Sequence, residues 1–483
     1  MKLLITLITL PILLLASEDL SLKVKNLEEQ LLQLKEEMKT HQEDLDERFP
    51  IIEKNEKHAI LDKLTLSPEL LIRVDKMDYK TGLIGENGDA TLINGGPYDG
   101  MTRRDRYYKS FEPAGYIRMR LNVNGDFGDT KFHSRLLYAN SSQSHERLCI
   151  LSRDIKSAKG GSAFDLDRAY IDYTPNRYNG GSLTFSFGIL PTSGGTPSHF
   201  SQNKQRSSMF PALVFDMNTY GAILTKKFYD SLYVRAIVAK AYTLRENFYP
   251  YQCNRENIDN ATVYGLYSDF SFNFLGNSLL SFGVNVLDDL KAHPYLGPDI
   301  DSSHAHELGR MFTYGVGLDI NNFLSTSNIV FVHAAASSPN PNGAIDDYKI
   351  IAPVTDELTE GGYTGFTVED YASGPMIGKM GYSFYFGGKY NLIPQLSLGA
   401  EFNYGSKYWF AATQGSEDIF NKLSIRGHAL EVYGTWNLNQ YLNAKLGYLH
   451  MKEDYTGSGW HFGEPATKDA KQNIYYLSLE ARF

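Results

Sequence analysis

The segment NIYYLSLEARF, residues 473–483, alternates with period two. Phe483, Ala481, Leu479, Leu477 and Tyr475 are apolar or aromatic, and Arg482, Glu480, Ser478 and Tyr476 fall between them. Such alternation describes a β-strand with one oily face and one wet face. A sheet of such strands can lie in lipid only if it closes, because an open edge would leave backbone N–H and C=O groups unpaired in hydrocarbon. The expectation is that this last strand pairs with the first to shut a cylinder, its apolar face outward.

The same period governs the chain from Leu66 onward. In SPELLIRVDKMDY (67–79), Leu70, Ile72 and Val74 alternate with Leu71, Arg73 and Asp75. In GYIRMRLNVNGDF (115–127), Ile117, Met119, Leu121 and Val123 alternate with Arg118, Arg120, Asn122 and Asn124. Further runs begin near Lys131, Ala163, Ser182, Asn218, Tyr233, Thr262, Asn277, Gly309, Asn328, Met380, Gln395, Ala429, Tyr441 and Asn473, which makes sixteen. Most have about ten residues, enough for a tilted strand to cross a bilayer core. The connectors alternate in length. Short ones include NGDFGD, PNRYNGG, KFYDS, NLIPQ and NLNQ; long ones cover roughly 81–114, 140–162, 193–217, 243–261, 288–308, 337–379, 406–428 and 452–472. Tight turns at one end and large loops at the other predict an all-β transmembrane fold, a 16-stranded antiparallel outer-membrane β-barrel over residues 65–483. Composition agrees: 33 Tyr, 27 Phe and 42 Gly against 3 Trp, with a mean hydropathy of -0.33, suit many strands with one wet face. A net charge of -9 argues against a nucleic-acid partner.

The N-terminal part reads differently. MKLLITLITLPILLLAS (1–17) has one lysine, a short apolar run and small residues, the pattern of a secretory signal peptide and too short to span a membrane. Residues 18–64 carry heptads. Val24, Leu31, Met38, Leu45 and Ile52 fall at a, and Leu20, Leu27, Leu34, His41 and Arg48 at d. This predicts an N-terminal α-helical coiled coil of roughly 43 Å, with Val24, Leu27, Leu31, Leu34 and Met38 as the self-association seam. An even strand count puts it in the periplasm, where it could touch peptidoglycan. Cys149 and Cys253 fall in expected outer loops; a disulfide between them and two separate thiols are both open readings.

Parity sorts the wall. Apolar residues face lipid, so Arg73, Arg118, Arg120, His133, Arg135, Arg168 and Asp172 face the lumen on early strands, and Glu401, Glu431, Lys445, Glu480 and Arg482 on late ones. An arginine-rich arc opposite a carboxylate-rich arc would lay a transverse field across a pore and mildly favour anions. The alternative is that these charges pair internally and fill a plugged lumen. Tyr173, Phe228, Tyr404 and Tyr455 suit an interfacial girdle, and YGSKYWF (404–410) is the first place to seek sugar-stacking aromatics. No cofactor motif and no metal-binding set stand out: GGYTGF lacks a phosphate-loop lysine, no G-x-S-x-G elbow and no C-x-x-C-H occur, and HAH (304–306) reads as loop polarity. No covalent chemistry is expected, so the chain is not read as an enzyme.

The ending YYLSLEARF resembles the C-terminal signal by which outer-membrane proteins are taken up by their barrel-assembly machinery, with Tyr475, Leu477, Leu479 and Phe483 at the matching positions. The whole arrangement is similar to the porin superfamily of Gram-negative bacteria. More narrowly, LSPELLIRVD, DLDRAYIDYTP and FSFGILPTSGGTPS resemble an uncharacterised family of porin-like proteins with a signal, a coiled coil and a barrel. The resemblance implies a homotrimer among outer-membrane lipids and lipopolysaccharide. It also implies an inward constriction loop after the fifth strand, about residues 193–217, bringing His199, Lys204, Arg206 and Asp216 into the lumen. The implied function is passive diffusion of small hydrophilic solutes. Selective uptake, for example of carbohydrate, and a plugged barrel serving as envelope anchor or adhesin are the alternatives.

Overall fold

The computed structural model describes residues 35–36, 63–80, 108–142, 161–175, 183–241, 261–273, 275–291, 307–343, 345–346, 349–355, 363–371, 374–375, 377–413, 416–455, 458, 465 and 467–483. Nearly all of the heptad segment lies outside these residues, as do Cys149, Cys253 and the HAH stretch.

Sixteen antiparallel strands form one sheet that closes on itself. In chain order they are β1 (Leu64–Lys80), β2 (Ala114–Phe127, preceded by a short pairing segment Tyr108–Ser110), β3 (Thr130–Ser141), β4 (Gly161–Tyr173), β5 (Leu183–Ile189), β6 (Thr219–Tyr229), β7 (Leu232–Ala241) and β8 (Thr262–Phe272). The second half comprises β9 (Asn277–Lys291), β10 (Glu307–Asn321), β11 (Ile329–Pro341), β12 (Gly381–Ile393), β13 (Leu396–Gly405), β14 (Gly427–Asn437), β15 (Leu442–Tyr455) and β16 (Thr467–Arg482). Closure comes from β1 against β16, in register from Glu69 opposite Arg482 to Lys80 opposite Lys471. The connection between β11 and β12 carries two small hairpin pairings, Lys349–Thr355 with Tyr363–Tyr371 and Ile345–Asp346 with Gly374–Pro375.

The outer face is an apolar belt. Val74, Leu446 and Leu477 stand 48%, 65% and 56% exposed on it, beside Phe282, Val284, Phe384, Phe386 and Leu398. Side chains this apolar and this open to their surroundings are stable only against hydrocarbon. Closed sheets are the β-architecture that can be immersed there, since every ladder group is satisfied within the wall. Tyr475, Leu477, Leu479 and Phe483 all point outward.

The inner face is built tightly by a repeated device. Five inward aromatic rings lie over a glycine directly opposite on the next strand: Tyr267 over Gly283, His333 over Gly317, Phe331 over Gly387, Tyr433 over Gly399 and Tyr476 over Gly447. A Cβ at any of these glycines would collide with the ring. Ring on bare backbone packs the wall and covers the weak point that a glycine makes in a strand.

Candidate functional site

Two connections turn into the barrel and meet there. The first, residues 190–218, links β5 to β6. Its Leu213, Val214, Phe215 and Met217 are almost wholly buried, as is Phe210 edge-on to Tyr267 at 4.6 Å. They pack on Ile223, Ile237, Val263, Leu287 and Met311 of the wall. The Val214 carbonyl accepts from Asn285 Nδ2 at 3.3 Å and Thr313 Oγ1 at 3.1 Å. Burying five such side chains contributes on the order of 10 kcal/mol before entropy, so the loop is seated rather than resting. Here β6 to β10 are apolar on both faces, which parity reading had reserved for lipid.

This loop runs from the long-loop end toward the short-turn end. Asn203 Nδ2 donates to Asn437 Oδ1 at 2.9 Å beside the β14–β15 turn. Arg482 donates to the Asn203 carbonyl at 2.8 Å and the Gln202 carbonyl at 3.2 Å. Arg168 of β4 holds the loop's flank through the carbonyls of Ser193 and Ser207, at 2.6 and 2.9 Å. Arg206 pairs with Asp269 at 3.1 Å, and Asp269 also takes Arg235 at 2.9 Å. Asp216 accepts from the Gly194 N–H at 3.0 Å, bracing the loop's two legs. Thr196 donates to Asp319, which also faces His333 at 2.9 Å. The His199 ring lies tilted against that of Phe200 at 3.9 Å, and burial pushes its imidazole down to about 4. It is neutral near pH 7 and adds no charge to the lumen.

The second inward connection, residues 406–426, links β13 to β14. Sequence reading placed it among the outer loops; the structure corrects this. Trp409, Phe410, Ala411, Ile419, Phe420, Leu423 and Ile425 are buried, an apolar content that a solvated loop would not tolerate. Trp409 Nε1 donates to the Leu423 carbonyl at 2.8 Å, and Arg426 Nε to the Trp409 carbonyl at 2.9 Å. Trp409 and Phe410 are thus interior packing and offer no face to a sugar. The two loops interlock, with the Asp216 N–H on the Ala412 carbonyl at 2.7 Å.

The second loop bridges the two charged arcs of the wall. Toward the basic arc it presents Glu417, 3.0 Å from Arg120, 3.5 Å from Arg135 and 3.8 Å from Arg118, with Lys204 of the first loop at 3.5 Å. Burial alone would raise this carboxyl. Arg120, Lys204 and Arg135 outweigh burial and hold it well below its ordinary value. Toward the acidic arc the loop presents Lys422, 2.6 Å from Glu401 and in contact with Glu431. Burial would lower the ammonium, but Glu401 and Glu431 raise it well above its ordinary value. Tyr385 and Tyr433 add hydroxyl donors to Glu401 at 2.6 and 3.2 Å, and Lys445 pairs with Glu431 at 2.9 Å. Arg73 lies over the rings of Phe420 and Tyr476 at 4.8 and 4.0 Å. The transverse field expected from two bare arcs is therefore largely quenched by one loop carrying the opposite charge to each.

Glu417, Lys422 and Asp167 are among the participants that had no place in the sequence reading. Glu417 sat in a loop assigned to the outside. Asp167 was skipped because a bulge on β4 sets Arg135 opposite Arg168 and Leu136 opposite Leu166, so that Asp167 falls between register positions and turns inward with its neighbour. There it takes Arg135. The paired Asp-Arg in DLDRAY, where strict alternation would send one charge to lipid, is the signal that marks such a bulge.

Below the interlocked loops the lumen opens into a cavity of about 310 Å³ at the short-turn mouth, lined by Asn203, Asn437, Asn439, Gln440, Tyr441, Leu442, Asn443 and Arg482. Lys204 meets Glu480 at 2.9 Å nearby, and Lys389 donates to Asn203. Among the described residues, no group of three His, Cys, Asp or Glu side chains has a metal-binding arrangement.

The chain is similar in fold to OprB of Pseudomonas putida in its high-pH structure, with 10% identity, a TM-score of 0.46, and 88% of this chain and 96% of that one covered. It is also similar to the outer membrane channel DcaP of Acinetobacter baumannii, with 12% identity, a TM-score of 0.42, and 87% and 98% covered. A third likeness is to OmpT, an outer membrane protein of Vibrio cholerae folded in vitro, with 12% identity, a TM-score of 0.41, and 88% and 99% covered. No curated protein matches by sequence. Residues 116–479 match the family model described as protein of unknown function, DUF3373, and because that span is most of the chain, the protein belongs to this family.

Proposed function

We propose that the protein is an outer-membrane channel for small hydrophilic solutes, its bore governed by the two interlocked loops. The observation that carries this reading is a polar, ionised lumen inside an apolar wall, spanned by a loop that is charge-matched to both arcs. The fold itself requires no such interior; water and polar solutes do. Lys204, Lys445 and Arg482 remain partly accessible toward the short-turn mouth, which supports a mild preference for anions. The heptad segment serves self-association in the periplasm, and we assign a trimer to it.

A second reading has its own support. Arg118, Arg120, Arg135, Glu401, Glu417 and Glu431 are each nine-tenths or more buried, as in a barrel plugged at this level. Such a barrel would anchor the heptad segment to the envelope. Planar-bilayer conductance separates the two. The channel reading expects discrete openings from the wild type, and a larger, steady conductance when residues 407–425 are replaced by a short Gly-Ser linker. A silent wild type with a conducting deletion variant favours the plugged anchor. Silence from both removes the channel reading.

A further inference from the structure

Three lysines and a histidine form a row on the outer face near the long-loop end. His428 is directly opposite Lys452, Lys452 opposite Lys471, and Lys471 opposite Lys80, across β14, β15, β16 and β1. All four side chains lie on the outward face, with Lys471 and Lys80 exposed. At a strand spacing of about 4.8 Å the row is roughly 14 Å wide. Like charges directly opposite one another in a ladder destabilise it, so such a row needs a counter-charge. Two acids, Asp454 and Asp469, supply part of it to Lys452, at 2.8 and 3.7 Å. Lys471 and Lys80 make no ion pair among the described residues.

The level of the row identifies the missing charge. One register step toward the middle of the wall come His450, Asn473 and Asp78, where Asp78 already accepts from Ser110. A further step brings Tyr448, Tyr475 and Lys76, the two tyrosine rings 5.0 Å apart. Below that, Leu446, Leu477 and Val74 begin the apolar belt. Tyrosines at the edge of the belt mark the membrane–water interface. Four residues beyond them along a tilted strand is roughly 10 Å further out, the depth of headgroup phosphates.

We propose that the row Lys452–Lys471–Lys80, with His428 at its end, is a binding site for the phosphate groups of an anionic glycolipid of the outer leaflet. The site rests on the outer-membrane reading, with the long loops outside, and does not depend on whether the lumen conducts. The full chain, refolded in zwitterionic detergent with chelator present, is titrated with diphosphoryl lipid A, with the same lipid stripped of phosphate, and with inorganic phosphate. The wild type is expected to bind the diphosphoryl lipid. K80Q/K471Q should bind it about 25-fold more weakly, roughly fivefold per lysine. D454N/D469N should bind it at least as tightly as wild type, and a millimolar excess of inorganic phosphate should not displace it. Equal affinity of K80Q/K471Q, or equal binding of the dephosphorylated lipid, overturns the site. Displacement by inorganic phosphate reassigns it to a free anion, and loss of binding in D454N/D469N refutes direct lysine–phosphate contact. Heat-modifiable gel migration verifies that each variant is folded. Protease protection in liposomes tests membrane insertion separately, so failure of the outer-membrane reading is distinguishable from failure of the site.

Discussion

The carboxylate of Glu417 lies 3.0 Å from the guanidinium of Arg120, although 297 residues separate them in the chain. This contact ties the second inward loop to the basic arc, and it lies within reach of three further cations. Glu417→Gln leaves Arg118, Arg120, Arg135 and Lys204 short of a counter-charge. Removing one partner of a buried pair costs roughly 3 to 5 kcal/mol. The variant should unfold at lower urea and show a higher mean conductance or longer openings. Unchanged midpoint and unchanged conductance would show that the loop is held by packing alone.

The pH response follows from the same loop. Glu417 is depressed in the folded state, so its contribution is full above its ordinary value of 4.5 and is lost only as pH falls through its lower folded value. Lys422 is raised, so its contribution is full below 10.5 and is lost as pH rises through its higher folded value. The contribution of these two groups to loop seating should therefore be flat between 4.5 and 10.5. Conductance recorded across that range is expected to change little from this source, with acid opening appearing only below it. A midpoint near neutrality would point to a different titrating group.

The ring-on-glycine device gives a packing test. In Gly447→Ala the new methyl meets the ring of Tyr476, whose hydroxyl reaches Glu431 and whose face carries Arg73. Overpacking should cost about 1–3 kcal/mol. Gly434→Ala serves as the control, because a Cβ there meets nothing closer than 3.5 Å. Urea unfolding in detergent should separate the two variants; equal midpoints would refute the account.

Arg482 carries a selectivity prediction. Arg482→Gln removes a cation from the short-turn mouth and releases the carbonyls of Gln202 and Asn203. The reversal potential under a salt gradient should move toward cations. No movement would separate this arginine from ion choice and leave it a purely mechanical part.

The wall was readable because its physics is local. Lipid outside and water inside force period two, and turns force punctuation, so sixteen runs gave sixteen strands. The interior was less readable because loops answer to no period. The basic and acidic arcs could be seen in Arg118, Arg120, Glu401 and Glu431, yet nothing near them in sequence revealed that Glu417 and Lys422 would meet them. The apolar stretch Trp409–Ala412 held the clue, since water at the cell surface gives no reason for such residues. Asp167 was hidden for a different reason: one bulge resets parity, and alternation alone cannot tell which of two adjacent charges turns inward.

The clamp between Arg482 and the tip residues Gln202 and Asn203 has a consequence for biogenesis. The arginine belongs to the final strand, whereas the segment it grips is made much earlier. That grip is unavailable until the seam between β1 and β16 has zipped. A cylinder still missing its last stave cannot complete its own stopper, so sealing the wall and setting the bore become one event in time.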